Sequence, residues 1–195
     1  MKISIVVAAI IVILSGCNSN KSSNETGQVI NKDTPAVLPA DTSKQGVEKD
    51  NSPMTEQDFG GVGELTLGLS HTKILELLGQ PGSKSKSEEW GADGLMHQDW
   101  VYKDKGIVLN MSNEKGQDKQ DVFSITISKP CAYKTKMNVG IGSSFQEIMA
   151  AYEKNIDKEN TDTKTITVGS VYGGIIFNFG KDAKAEKIFV GAAAE

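Results

Sequence analysis

The stretch GGIIFNF at residues 173–179 has a close counterpart earlier in the chain, KGIVLNM at residues 105–111. In both stretches a glycine is followed by three apolar residues and then by an asparagine. A short apolar run bounded by glycine is typical of a buried strand. The correspondence predicts that the same central strand occurs twice and that the fold is made of two related halves.

The helical segments of the two halves also correspond. The stretch LGLSHTKILELLGQP (67–81) matches IGSSFQEIMAAYEKN (141–155), and each contains a serine placed to cap a helix. We expect the hydroxyls of Ser70 and Ser144 to accept hydrogen bonds from free N–H groups of the first turn. Gly79 is predicted to end the first helix. Both helices are short, so they require packing against a sheet.

The remaining apolar segments predict antiparallel strands separated by glycine-containing turns. Three lie in each half: QDWVYK (98–103), GIVLNM (106–111) and VFSITI (122–127), then TITVGSVY (165–172), GIIFNF (174–179) and KIFV (187–190). A further short strand is predicted near 84–90, with GADG (91–94) as its turn. The predicted fold class is α+β. It consists of two tandem copies of a short helix plus a small antiparallel β-meander, at residues 59–130 and 131–195, forming one compact unit with the helices on one sheet face.

This order of elements resembles a known family. The G-x-S caps, the L-L-G-x-P end of the first helix and the strands that follow resemble the BamE-like (SmpA/OmlA) envelope lipoproteins. The duplication resembles the tandem domains of β-lactamase-inhibitor proteins, and the likeness covers residues 62–195. The resemblance implies a binding or assembly module, not an enzyme, although two copies in place of one depart from the single-copy assembly proteins. It carries over no binding residue.

The amino terminus predicts export and lipidation. Residues 1–16, MKISIVVAAIIVILSG, have the short apolar run of a signal peptide and not the length of a membrane span. LSGC at 14–17 resembles the bacterial lipobox, so Cys17 is predicted to carry the lipid anchor; an ordinary cleaved signal is the alternative. Asn18 follows in place of a retention aspartate. In a two-membrane cell this predicts an outer-membrane lipoprotein facing the periplasm; the number of membranes stays open.

Residues 17–58 are predicted to be the lipidated amino terminus and a disordered tether. They are rich in Ser, Asn, Asp, Lys, Thr and Pro and have no apolar periodicity. A flexible coil of this length has an end-to-end distance of roughly 35 Å. The folded part is therefore expected to hang from the membrane.

Charge limits the classes of partner. All 21 basic residues are lysines, and the net charge is −4. A protein with this balance and no basic cluster lacks the electrostatic attraction that drives nucleic-acid binding. The predicted partners are the membrane, through the lipid on Cys17, and an envelope protein. The oligomeric state and the identity of the partner stay open.

No constellation of catalytic residues stands out, so the chain is predicted not to be an enzyme and to need no cofactor. His97 and Asp99 alternate on a predicted strand, with Asp93 in the adjoining turn, but a zinc site needs further converging ligands, and no metal site is predicted. Cys131 is expected to be a packed residue, since no histidine lies near it in the sequence. An inhibitor of a secreted or periplasmic hydrolase and an uncharacterised enzyme are the alternatives.

Aromatic and amide residues are the remaining candidates for a binding surface. Tryptophan and tyrosine are favoured both at interfaces and in cores, which leaves two interpretations for each aromatic residue. Asparagine is depleted in strands, so its repetition indicates either a local hydrogen bond or an open, partner-binding sheet face. The predicted partner-binding residues are Trp90, Trp100, Tyr102, Asn110, Tyr172 and Asn178.

Overall fold

The computed structural model describes residues 56–193, which lie within one compact unit. Three helices are present in this range: α1 (Glu56–Phe59), α2 (His71–Leu78) and α3 (Phe145–Ala151). The first is a single turn. The strands are β1 (Gly61–Val62), β2 (Leu65–Thr66), β3 (Ser83–Lys84), β4 (Glu88–Glu89), β5 (Met96–Tyr102), β6 (Ile107–Asn113), β7 (Asp121–Ser128), β8 (Thr165–Ser170), β9 (Gly173–Phe179) and β10 (Ala185–Gly191).

Eight of these strands form one antiparallel sheet. Its order is β3-β5-β6-β7-β10-β9-β8, and β4 pairs with β5 beside β3. β1 and β2 form a separate two-stranded ribbon. In the middle of the large sheet β7 pairs with β10, placing Ile127 opposite Ile188 and Ile125 opposite Val190. The fold is therefore mostly β, with two helices of about two turns.

The predicted fold class, two tandem helix-plus-meander units, is wrong. The strands do not form two small meanders, because β7 and β10 are hydrogen-bonded neighbours in one continuous eight-stranded sheet. The physical reason is that each three-stranded meander would leave an open edge of unpaired N–H and C=O groups. Pairing the two edges satisfies those groups and joins the strands into a single architecture.

One face of the large sheet is buried. Side chains alternate along β6 and β9, so that every second residue points into one core. The core-facing residues of these strands are almost fully buried: Ile107, Leu109, Met111, Ile175, Phe177 and Phe179. Ile74 and Leu78 of α2 and Ile148 of α3 belong to the same core cluster. The intervening residues of both strands face the opposite side, which we call the outer face.

The helix ends follow the sequence. Ser70 Oγ accepts a hydrogen bond from the Lys73 N–H, and Ser144 Oγ accepts one from the Glu147 N–H. Glu147 returns a carboxylate oxygen to the Ser144 N–H at 2.7 Å, which completes a capping box. Gly79 closes α2 with a positive φ of 78°. These predicted caps are confirmed. They could be predicted because a cap depends only on neighbouring residues.

The glycines of the two matching stretches are required by close backbone contacts. A Cβ on Gly106 would lie 2.3 Å from the Ser128 carbonyl oxygen, and one on Gly174 would lie 2.1 Å from the Val168 carbonyl oxygen. Gly106 also has a φ of +65°, which L-residues rarely adopt. Both strands therefore begin where a neighbouring segment of the same chain leaves no room for a side chain.

The signal peptide (1–16), Cys17 and most of the tether predicted at 17–58 lie outside the described residues. The described range begins with α1 at Glu56, ahead of the predicted start of the folded part at Phe59. Between residues 56 and 193 there is no helix of sufficient length and apolar character to span a bilayer.

Candidate binding groove on the outer sheet face

A groove of about 490 Å³ lies on the outer face, across β7, β10 and β9. Its lining is mainly aromatic and apolar, with three polar side chains. We call it the outer groove and define it by Trp90, Phe123, Ser124, Ile176, Asn178, Lys187, Phe189, Ala192 and Ala193. The strands supply the lining because the alternate residues of each strand, opposite to the core-facing ones, point outward.

Strand register orders the groove from a polar end to an aromatic end. Lys187 pairs with Asn178, and one row further Phe189 pairs with Ile176. On the neighbouring strand Lys187 pairs with Ser128, which places Ser124 two rows beyond it, about 13 Å along the strands. The ring of Phe123 lies beside Trp90, with the centroids 5.8 Å apart and the planes nearly perpendicular. The lysine and the tryptophan therefore mark opposite ends.

The polar groups of the outer groove have few partners within residues 56–193. Lys187 forms no ion pair there, and its side chain is exposed. Ser124 lines the groove, and its hydroxyl makes no hydrogen bond in this range. The Asn178 amide nitrogen reaches Thr165 Oγ1 only at 3.5 Å, the weak limit of a hydrogen bond. These groups are available to an occupant of the groove.

A hydrogen-bonded network borders the aromatic end. Asn110 Nδ2 donates to Asp99 Oδ1 at 2.8 Å, which turns Asn110 Oδ1 toward His97. His97 Nδ1 lies 2.6 Å from that oxygen, and His97 Nε2 lies 2.9 Å from Asp93 Oδ2. The imidazole therefore lies between two side-chain oxygens, one from Asn110 and one from Asp93. The network joins two strands to the turn that contains Asp93.

Electrostatics within this network favour an ionised Asp93. A hydrogen bond from the Leu95 N–H, and then the hydrogen bond and charge of His97, lower the pKa of the Asp93 carboxyl. The Leu95 N–H lies 2.9 Å from Asp93 Oδ1. Asp93 therefore holds its own turn through one oxygen and His97 through the other.

The network also supports a wall of the outer groove. His97 is almost fully buried, and its ring stacks on Trp90 with centroids 3.7 Å apart and planes 8° apart. Phe123 packs edge-on against the imidazole at 4.7 Å. Because Trp90 precedes the turn that Asp93 anchors, the network fixes the segment that brings Trp90 over the sheet.

The same contacts limit the chemistry available to His97. Both of its ring nitrogens face Asp93 and Asn110, so neither faces a nucleophile or a metal position. Within the described part of the chain no group of three His, Cys, Asp or Glu residues is placed to hold a metal ion. Cys131 is buried, and burial raises the pKa of its thiol. The arrangement is suited to binding.

The structure places the predicted partner-binding residues in or beside the outer groove, at an exposed hairpin, or in the core. Trp90 and Asn178 line the outer groove, and Asn110 lies in the network beside it. Tyr172 lies at the β8–β9 hairpin with 75% of its surface exposed.

Trp100 and Tyr102 are core residues and not interface residues. They are 2% and 4% exposed, because they lie on the core-facing side of β5 opposite Leu109 and Ile107. The prediction that they belong to a binding surface is therefore corrected. Sequence reasoning missed Phe123, Ser124, Lys187 and Phe189. The alternation in KIFV could have placed Lys187 and Phe189 on one face, but the pairing of β10 with β7 and β9 has no local signal.

Comparison with known proteins identifies no family. No protein-family model matches the chain, and no curated protein matches it. The chain is similar to the 1.5 Å crystal structure of an extracellular protein containing an SCP domain from Bacillus anthracis str. Ames, with a TM-score of 0.43 and 15% sequence identity. The likeness covers 77% of this chain and 49% of that one, so the chain spans about half the length of its neighbour.

These findings correct the resemblance proposed from the sequence. The chain forms a mostly β fold with one eight-stranded antiparallel sheet and a two-stranded ribbon, not two tandem helix-plus-meander copies. The likeness to BamE-like (SmpA/OmlA) lipoproteins and to tandem β-lactamase-inhibitor domains is therefore wrong.

Proposed function

We propose that this protein is a non-catalytic envelope lipoprotein that binds a protein partner through the outer groove. The observation that carries the proposal is a concave site with aromatic walls and with polar groups that have few partners in the described residues. Aromatic side chains are favoured as anchors at protein interfaces. A groove of several hundred cubic ångströms is also of the size that commonly serves as a binding site.

Anchoring by a lipid on Cys17 is part of the proposal. Its support is the LSGC junction at the end of the short apolar run of residues 1–16. Changing Cys17 to Ser should release or mislocalise the protein on membrane fractionation, since the acyl chains that hold it would be missing. A Cys17→Ser protein that still fractionates fully with membranes would rule out the anchor and leave the groove unaffected.

The binding role is tested by site-specific photo-crosslinking in intact cells. A photoreactive phenylalanine analogue placed at Phe189 of the outer groove should give one discrete adduct. The matched control is the same analogue at Lys73, an exposed position on α2, which packs against the opposite face of the sheet. Equal labelling from both positions, or labelling from neither, would contradict a groove-directed partner.

A hydrolase inhibitor is the second candidate, and the exposure of Tyr172 favours it. This side chain is 75% exposed at the tight turn between β8 and β9. A protruding aromatic side chain can fill the cleft of an enzyme in the way that interface anchors fill pockets. The photoreactive analogue at Tyr172 distinguishes the candidates: a soluble hydrolase captured there, with no adduct from Phe189, would favour inhibition.

A further inference from the structure

We infer that the occupant of the outer groove is an extended peptide segment of the partner with an acidic residue at one end and apolar residues after it. The inference rests on the proposed function and adds the chemistry of the partner. Lys187 is the one charged side chain among the residues that line the groove. Its ammonium has no ion-pair partner between residues 56 and 193, so a carboxylate is its natural complement.

The spacing of the lining fixes the direction and the period of such a segment. Lys187, Phe189 and the level of Ser124 follow one another in rows about 6.6 Å apart. An extended peptide repeats its side-chain direction with the same period of two residues. An acidic residue at Lys187 therefore places its i+2 side chain over Phe189 and Ile176, and its i+4 side chain beside Trp90 and Phe123.

Two polar groups strengthen the assignment to a peptide. Ser124 is 8% exposed, lies on the lining of the groove, and its hydroxyl makes no hydrogen bond in the described range. That hydroxyl can pair with a backbone N–H or C=O of the occupant. The free oxygen of the Asn178 amide can accept from a second backbone N–H. An apolar lipid chain would satisfy neither group.

Intrinsic fluorescence gives a direct test with defined probes. The chain has two tryptophans, and Trp100 is 2% exposed, so a ligand in the groove should change mainly the emission of Trp90. The probe is the peptide acetyl-Glu-Ser-Leu-Ser-Phe-amide, and its matched control replaces Glu by Gln. The acidic peptide should bind roughly two- to fivefold more tightly, the range expected for an exposed ion pair, and the difference should shrink in high salt.

Variants assign the charge recognition to one residue. Lys187→Gln should remove the difference between the two peptides, whereas Lys181→Gln, an exposed lysine outside the groove, should preserve it. Equal binding of both peptides to the unaltered protein would overturn the acidic assignment, and binding of neither would overturn the extended apolar occupant. Either result is separable from failure of the proposed function, because the adduct from Phe189 does not depend on these peptides.

Discussion

Strands β6 and β9 carry the same sequence pattern but use their asparagines differently. Asn110 on β6 is enclosed in a network with Asp99 and His97, through contacts of 2.8 and 2.6 Å. Asn178 on β9 has only a 3.5 Å contact to Thr165 and lines the outer groove. Equal positions in a repeated motif therefore do not have equal roles, because the neighbouring strand supplies the hydrogen-bond partners.

The largest expected effect on stability comes from the glycines at the start of the two strands. Gly106→Ala and Gly174→Ala should each lower the free energy of unfolding by about 3 kcal/mol or more, since the new methyl group meets a carbonyl oxygen of a neighbouring segment. Chemical denaturation measures the loss. Gly173→Ala is the matched control, because its Cβ would have no heavy atom within 4 Å. Similar losses at all three positions would show that close backbone contact is not the cause.

The two asparagines should separate in the next test. Asn110→Ala should cost about 1–3 kcal/mol of stability, because it leaves the buried His97 Nδ1 donor without an acceptor. Asn178→Ala should stay within about 0.5 kcal/mol, as surface substitutions usually do, while weakening capture by the groove. Thermal melting and the Phe189 crosslink measure the two properties. Equal melting losses for both variants would remove the distinction between a structural and a binding asparagine.

The smallest expected effect is the pH dependence that Asp93 adds on the β6 side. Its folded pKa is lowered below the unfolded value of about 3.9, so its contribution to stability is present above that value and is lost as the pH falls through the folded pKa. The difference in Tm between the unaltered protein and Asp93→Asn should therefore shrink on acidification below about pH 4. Asp104→Asn, at an exposed turn, is the control. A Tm difference that grows with acidification would reverse the sign and contradict the role of Asp93.

The local features of the fold were readable from the sequence because short-range periodicity and capping chemistry decide them. The serine caps, the Gly79 helix end and the buried face of β6 and β9 each depend on residues within a few positions. The groove was only partly readable. Trp90 and Asn178 were named, but Phe123 and Lys187 reach the same site only because β7 and β10 pair.

The repeat itself misled the prediction of architecture. The two matching segments predict two tandem copies of a small meander. Hydrogen bonding between β7 and β10 instead pairs the open edge of each meander and makes one sheet. Trp100 and Tyr102 are buried because they lie on the core-facing side of β5, where the Tyr102 hydroxyl donates to the Gly79 carbonyl oxygen at the end of α2. Their aromatic character alone could not separate core from interface.

The sequence by itself determined the main strands, the capped helices and the alternation that buries one sheet face, and lipid attachment at Cys17 stays a prediction from it. Each of these depends on neighbouring residues, whose spacing is visible in the chain. Only the tertiary structure decided that one sheet runs through both halves, that Asn110 is bound while Asn178 is open, and that Trp90 lies over His97 beside the groove. Those outcomes depend on contacts between residues distant in the chain, and the pairing that creates such contacts is set by the packing of the whole core.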